Sequence, residues 1–155
     1  MKIRLGKSID KIEFLKVQKE AFPNLDSKKQ TRYFVNKLRN KEILVAVNGK
    51  NYLGHICFGK HILNPPFVGG VFGEELAVKK EYNGKGIGTA LLKNLISYCK
   101  KNKYSVLYLG TGDYKKNKAI NYYKKLGFKE IGKLKEINPK SEYKYGQIFF
   151  GKIIK

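Results

Sequence analysis

The sequence predicts a single α+β domain built on a mixed sheet. The first observation behind this is an alternation of strand-length apolar runs with runs of helical period, in the order β-αα-βββ-α-β-α-ββ. The second is the absence of any repeat, low-complexity block or linker, so one domain over residues 1–155 is expected. The third is composition: 42% hydrophobic and 29% charged residues describe a chain that folds around a core.

Each element has its own signal. IRL at 3–5 is a short apolar start. Ser8 can cap a helix reaching about Ala21, with Ile9, Ile12 and Leu15 on its inner side and Pro23 just beyond. Asp26 or Ser27 can cap a second helix that turns Phe34, Val35 and Leu38 inward. Residues 42–47 read as a strand, NGK at 48–50 as a hairpin turn and 52–60 as the partner strand. A loop around Pro65 and Pro66 leads to a strand over 71–78. A helix to about Lys101 follows, with Ala90, Leu91, Leu95, Tyr98 and Cys99 on its inner face. SVLYLG at 105–110 is a nearly continuous apolar strand, as expected inside a sheet. A helix over 116–126 carries Ala119, Ile120 and Tyr123 at helical spacing, and Gly127 supplies the left-handed position that closes it. Strands over 128–135 and 143–153 complete the chain.

Charge is the unusual quantity. Lys and Arg total 33 against 12 Asp and Glu, a net +21. Such a field attracts polyanions, including nucleic acid and phosphorylated cofactors. Only Arg4, Arg32 and Arg39 are arginines and they do not cluster, which argues against a nucleic-acid module. The longest aliphatic run, ILVAV at 43–47, is too short to span a bilayer, and charges interrupt any leader-like stretch near the start. Cys57 and Cys99 form no CxxC and no disulfide framework. A cytoplasmic protein without a membrane partner, monomeric or homodimeric, is expected. His55 and Cys57 share a strand face, but no further ligand is spaced to join them, so no metal is expected.

The most informative stretch is YNGKGIGTALL, residues 82–92. Gly84, Gly86 and Gly88 stand directly before a helical run, although glycine weakens helices, so something must approach the backbone closely. A P-loop is excluded because Gly86, not Ser or Thr, follows Lys85. A dinucleotide fingerprint is excluded because Thr89 occupies its third glycine position and no acid occurs between Glu81 and Asp113. That absence of acid, Lys85 and the helix start all favour an anion such as a pyrophosphate. A tight turn without a ligand is the alternative on local pattern alone.

The wider pattern resembles the GNAT superfamily of N-acetyltransferases. ELAVKKEYNGKGIGTALL at 75–92 is similar to its acyl-CoA-binding segment, with Asn83 where the family usually carries Arg or Gln. NKAINYYKKLGF at 117–128 is similar to its Asn…Ala…Tyr…Gly-Phe signature, with Asn117 two residues before Ala119 where three is commoner. The resemblance covers nearly the whole chain. It implies a central mixed, mostly antiparallel twisted sheet flanked by helices, and acetyl-CoA as cosubstrate with an amine acceptor. It implies that Asn83, Gly84, Lys85, Gly86, Ile87, Gly88 and Thr89 wrap the pyrophosphate. The main chain of Leu76, Ala77 and Val78, with Asn117, is implied to hold the pantetheine arm in a gap between two splayed strands.

Amide formation from a thioester needs a neutral amine, so a base must take its proton, and the leaving thiolate needs one. Glu74 and Glu75 are the obvious carboxylates, expected on opposite strand faces because side chains alternate. The resemblance selects Glu74 as base and implies that Tyr123 protonates the thiolate, while Tyr122 packs. Cys99 reads as a small hydrophobe, which favours direct attack by the amine.

Overall fold

The computed structural model describes residues 1–60, 69–135 and 146–155. Seven strands, β1 (Lys2–Leu5), β2 (Ile43–Asn48), β3 (Asn51–Gly59), β4 (Val71–Val78), β5 (Val106–Gly112), β6 (Lys129–Leu134) and β7 (Gln147–Ile153), form one sheet in the order β1-β2-β3-β4-β5-β7-β6. All neighbours are antiparallel except β4 and β5, which run parallel because a helix crosses between them. The helices are α1 (Lys11–Ala21), α2 (Ser27–Arg39), α3 (Ile87–Lys101) and α4 (Lys118–Lys125). The expected order of elements is therefore present, and the loop around Pro65 and Pro66 and residues 143–145 of the last strand lie outside the described residues.

Alternation along β2 and β3 divides the core between the two sheet faces. Leu44, Ala46, Ile56 and Phe58 join Leu91, Leu92, Leu95 and Cys99 of α3 in one cluster. Ile43, Val45, Tyr52 and Cys57 join Phe14 and Val17 of α1 and Phe34 of α2 in the other. Burying an aliphatic or aromatic side chain of this kind contributes about 1.5–3 kcal/mol, so both faces are held mainly by apolar burial. Among the described residues no helix is long and apolar enough to cross a membrane.

Two helix faces differ from expectation. Ile9 and Ile12 are 81% and 67% exposed, and α1 instead buries Phe14, Val17 and Gln18. The helix begins only at Lys11, because Asp10 caps the preceding turn by accepting from the Lys7 amide and pairing with Arg4. Phe14 then sets the inner face by packing on the Phe34 and His55 rings, 4.8 and 4.4 Å between centroids. On α2, which Asp26 caps through the Lys29 amide, Phe34 is buried as expected but Val35 is exposed. Gln30 and Lys37 take its place inside.

Candidate active site

The parallel ladder between β4 and β5 ends at Gly73 and Leu109. Beyond it, residues 75–78 of β4 pair only with β3, while residues 110–112 of β5 pair only with β7. The two strands thus diverge at the centre of the sheet. A cleft of about 930 Å³ lies there, lined by Glu74, Glu75 and Leu76 on one side and Gly110, Asn117, Tyr122 and Tyr123 on the other. The turn after α1, with Phe22 and Leu25, and Tyr33 of α2 also line it, together with Tyr114 and Phe149.

The two glutamates do not take opposite faces. The β3–β4 register shifts between Cys57, opposite Glu75, and Phe58, opposite Gly73, so Glu74 is the extra residue of a bulge. A bulge breaks the two-residue alternation and re-aims the side chains beside it. Both carboxylates consequently reach the α1–α2 side and line the cleft.

Their environments differ. Glu74 accepts from the Lys37 ammonium at 2.6 Å and from the Tyr33 hydroxyl at 2.7 Å. Lys37 is buried and also donates to Glu42 at 3.2 Å and to the Phe58 carbonyl at 2.8 Å. Glu75 accepts from the Gln18 side-chain amide, which also donates to Gln30 at 3.1 Å. Burial pushes the Glu75 carboxyl above the ordinary carboxylate range against the opposing hydrogen bond from Gln18, and the neighbouring Glu74 charge raises it further. Gln18, Tyr33 and Lys37 were not singled out by sequence reasoning. The available signal was a polar residue in phase with an apolar stripe: Gln18 lies four residues after Phe14, and Lys37 three after Phe34.

Tyr123 lies across the cleft on α4, against Phe128 and Phe150 at 6.1 and 5.6 Å. Burial pushes its phenol up to about 12, so it keeps its proton at neutral pH. Its neighbour Tyr122 packs on it at 5.6 Å and also donates to the Thr89 hydroxyl at 3.2 Å, which ties α4 to the first turn of α3. Asn117 is more constrained than expected for a ligand contact. Its carbonyl oxygen caps α4 through the Ala119 amide at 3.0 Å, and its NH₂ donates to Thr111 at 2.8 Å and to the Gly112 carbonyl at 2.6 Å. It therefore shapes the cleft wall, and its side-chain amide is engaged within the chain at both ends.

The glycine segment lies outside the cleft lining, at the N-terminus of α3. Gly84 and Gly86 have φ of +76° and +77°, left-handed values that an L side chain rarely adopts. Gly86 is the residue that starts the helix, and Asn83, Lys85 and both glycines are exposed. The first amides of α3 have no carbonyl one turn back to bind, no acid occupies its first turn, and Lys85 stands over the Tyr82 ring at 5.1 Å. Gly88 faces Leu76 and Val78 of β4, with room for a Cβ 3.7 Å from Leu76. A loop with open amides, positive helix end and no carboxylate fits a pyrophosphate, and the gap below it fits an extended arm. Among the described residues no group of three His, Cys, Asp or Glu could hold a metal. His55 is fully buried, bonded to the Tyr52 hydroxyl at 2.8 Å, and burial lowers it to about 3.

Comparison with known proteins places these features in context. Residues 11–128 match the model of the acetyltransferase (GNAT) family. An uncharacterized N-acetyltransferase of Methanocaldococcus jannaschii is 31% identical over 127 residues, which are 76% of this chain and 56% of that protein. The chain thus spans about half the length of this curated relative. An N-acetyltransferase from Staphylococcus aureus superposes with a TM-score of 0.82 at 26% identity, over 99% of this chain and 98% of that one. The yncA protein of Salmonella typhimurium, solved with its cofactor acetyl-CoA, shares the fold with a TM-score of 0.81 at 18% identity, over 100% and 94% of the two chains.

Proposed function

The chain belongs to the GNAT acetyltransferase family, and we propose that it moves an acetyl group from acetyl-CoA to a primary amine by direct attack. The observation that carries this reading is the divergence of β4 from β5, which leaves Glu75 and Tyr123 lining one cleft, together with the acid-free, glycine-capped start of α3. Acetyl-CoA supplies the activated thioester. The amides of Gly84 and of residues 86–89 hold the pyrophosphate, assisted by the Lys85 ammonium and the Asn83 side chain, while the Lys85 amide is bonded to the Tyr82 carbonyl. The unpaired edge of β4 at Leu76, Ala77 and Val78 orients the arm.

An alkylammonium must lose a proton before it can attack. Of the two carboxylates, Glu75 is the better acceptor: its basicity is raised by burial and its carboxylate meets a neutral amide. Glu74 is held by an ammonium and a phenol and acts as its electrostatic partner. As nitrogen bonds to the acetyl carbon and the carbon–sulfur bond breaks, the Tyr123 hydroxyl gives its proton to the sulfur. Neither thiol is poised to carry the acetyl group, since burial raises Cys57 and pushes Cys99 up to about 12. The test is release of CoA thiol from acetyl-CoA across a panel of amines. Amine-dependent release supports the reading. Acetyl-CoA binding without release for any amine leaves a non-catalytic CoA-binding domain, and salt-sensitive nucleic-acid binding without CoA affinity leaves a basic module.

A further inference from the structure

The wall chemistry of the cleft is the opposite of the chain's. Lys and Arg are 33 of 155 residues, yet none of the described residues lining the cleft is Lys or Arg. Glu74 and Glu75 are the charged residues of that lining, and the remaining wall is uncharged and includes the rings of Phe22, Tyr33, Phe72, Tyr114 and Phe149. Behind the wall, the Lys37 ammonium faces Glu42 as well as Glu74. Two carboxylates, Glu42 and Glu74, share this one ammonium, and Glu75 beside them is bonded to the neutral Gln18 amide. Carboxylates therefore outnumber the ammonium here, inside a protein of net charge +21.

We propose that this cleft selects amines that carry no carboxylate beside the amino group, with a neutral, apolar or aromatic body. The inference rests on the acetyl-transfer reading and specifies its acceptor. An ammonium is drawn to Glu75 and its hydrocarbon body meets the aromatic walls. A free α-amino acid brings its own carboxylate within a few ångströms of that ammonium, against Glu74 and Glu75. The described lining offers no cation to receive it. Decarboxylated amines and amidated residues, including a peptide N-terminus, avoid this repulsion.

Matched pairs isolate the carboxylate from the rest of the molecule: tyramine against tyrosine, and phenylalaninamide against phenylalanine. Calorimetric titration of the full chain in the presence of CoA should show the carboxylate-free member binding about 10²-fold more tightly, the penalty expected for juxtaposed like charges. In Glu75→Gln, and less so in Glu74→Gln, the ratio should contract towards unity. Both replacements keep the shape of the side chain, so a purely steric preference would leave the ratio unchanged. Equal binding within each pair, a ratio insensitive to both variants, or no binding of tyramine and phenylalaninamide overturns the proposal. If the preference holds and contracts in Glu75→Gln but no acetylated amine forms with acetyl-CoA, the selectivity stands and the acetyl-transfer reading falls.

Discussion

The two faces of the sheet are built differently. The buried cluster under α3 is entirely apolar, from Leu44 and Phe58 to Leu91, Leu95 and Phe150. The face under α1 and α2 has fewer buried apolar residues and carries most of the buried polar ones, Gln18, Gln30, Lys37, Glu42 and His55, with Asp10 buried just ahead of α1. An apolar cluster needs only volume and periodicity, whereas each buried polar group needs a partner or a reason to lack one. The α3 face supports the glycine turn as a rigid platform. The α1–α2 face holds buried charges in place beside the cleft, and its stability depends on their pairing.

Removing Lys37 is the strongest way to break that distinction. Lys37→Met leaves buried Glu42 and half of the Glu74 contacts without their ammonium, and should cost about 3–5 kcal/mol of folding free energy. Lys37→Met combined with Glu42→Gln should recover part of it. Leu91→Ala on the other face should cost about 2–5 kcal/mol through a cavity, with no rescue from a charge change. Chemical denaturation of these variants measures both, and an equal response to Glu42→Gln in each background would erase the difference between the faces.

The glycine turn tests the cofactor side. Gly86→Val places a branched side chain at φ +77°, at a backbone cost of about 1–2 kcal/mol, beside the amides proposed to bind the pyrophosphate. Acetyl-CoA affinity should fall about 10²-fold, a group-sized loss of hydrogen bonding to charge. Thermal denaturation with and without ligand separates the two effects, and an undiminished ligand-induced Tm shift would remove the glycines from the site. Gly88→Ala, with a Cβ at ordinary contact distance from Leu76, is the control that should keep its fold.

This difference between faces also explains what could be read from the sequence. The glycine turn, α3 and the α4 signature are written in glycines and apolar spacing, and the structure has them where the sequence puts them, with Gly84, Gly86 and Gly127 all left-handed. The α1–α2 side is less legible. Ile9 and Ile12 carry the apolar signal of α1 yet point to solvent, because Phe14 and the buried Gln18 determine the packed face. The bulge at Glu74 depends on how β3 and β4 pair, and the one local mark of it in GEELAV is Gly73, a glycine inside the strand directly before the inserted residue. The expectation that Glu74 and Glu75 face apart followed from strict alternation, which a single bulge overturns.

Tyr123 and Tyr122 sharpen the comparison inside the cleft itself. If the Tyr123 hydroxyl protonates the departing thiolate, Tyr123→Phe should lower kcat and kcat/KM together by about 10²-fold, with acetyl-CoA affinity nearly constant. Tyr122→Phe loses the bond to Thr89 and should change kcat by less than about threefold, in line with a neutral hydrogen bond near the surface. Equal, small effects in steady-state kinetics would leave Tyr123 as packing.

His55 gives an effect that shows only in acid and is confined to the α1–α2 face. Its folded value of about 3 lies below the ordinary 6.5, so the unfolded chain takes up a proton that the folded chain refuses. Stability from this group is complete above about pH 6.5 and declines as pH falls towards 3, by up to about 1.4 kcal/mol per pH unit. In His55→Phe that slope should flatten, although the Tyr52 hydroxyl loses its partner and the overall level drops. An unchanged slope would mean that acid sensitivity resides in other groups.

The account stands or falls on Glu75 as the acceptor of the amine's proton. The measurement is the rate of tyramine-dependent CoA release from acetyl-CoA, from pH 6 to about 10, by the natural protein and by Glu75→Gln. The natural protein should release CoA in step with acetyltyramine. Glu75→Gln should be slower by about 10²-fold near neutrality and recover as the solution itself deprotonates the amine. Matching pH profiles and rates for the two proteins would contradict the account.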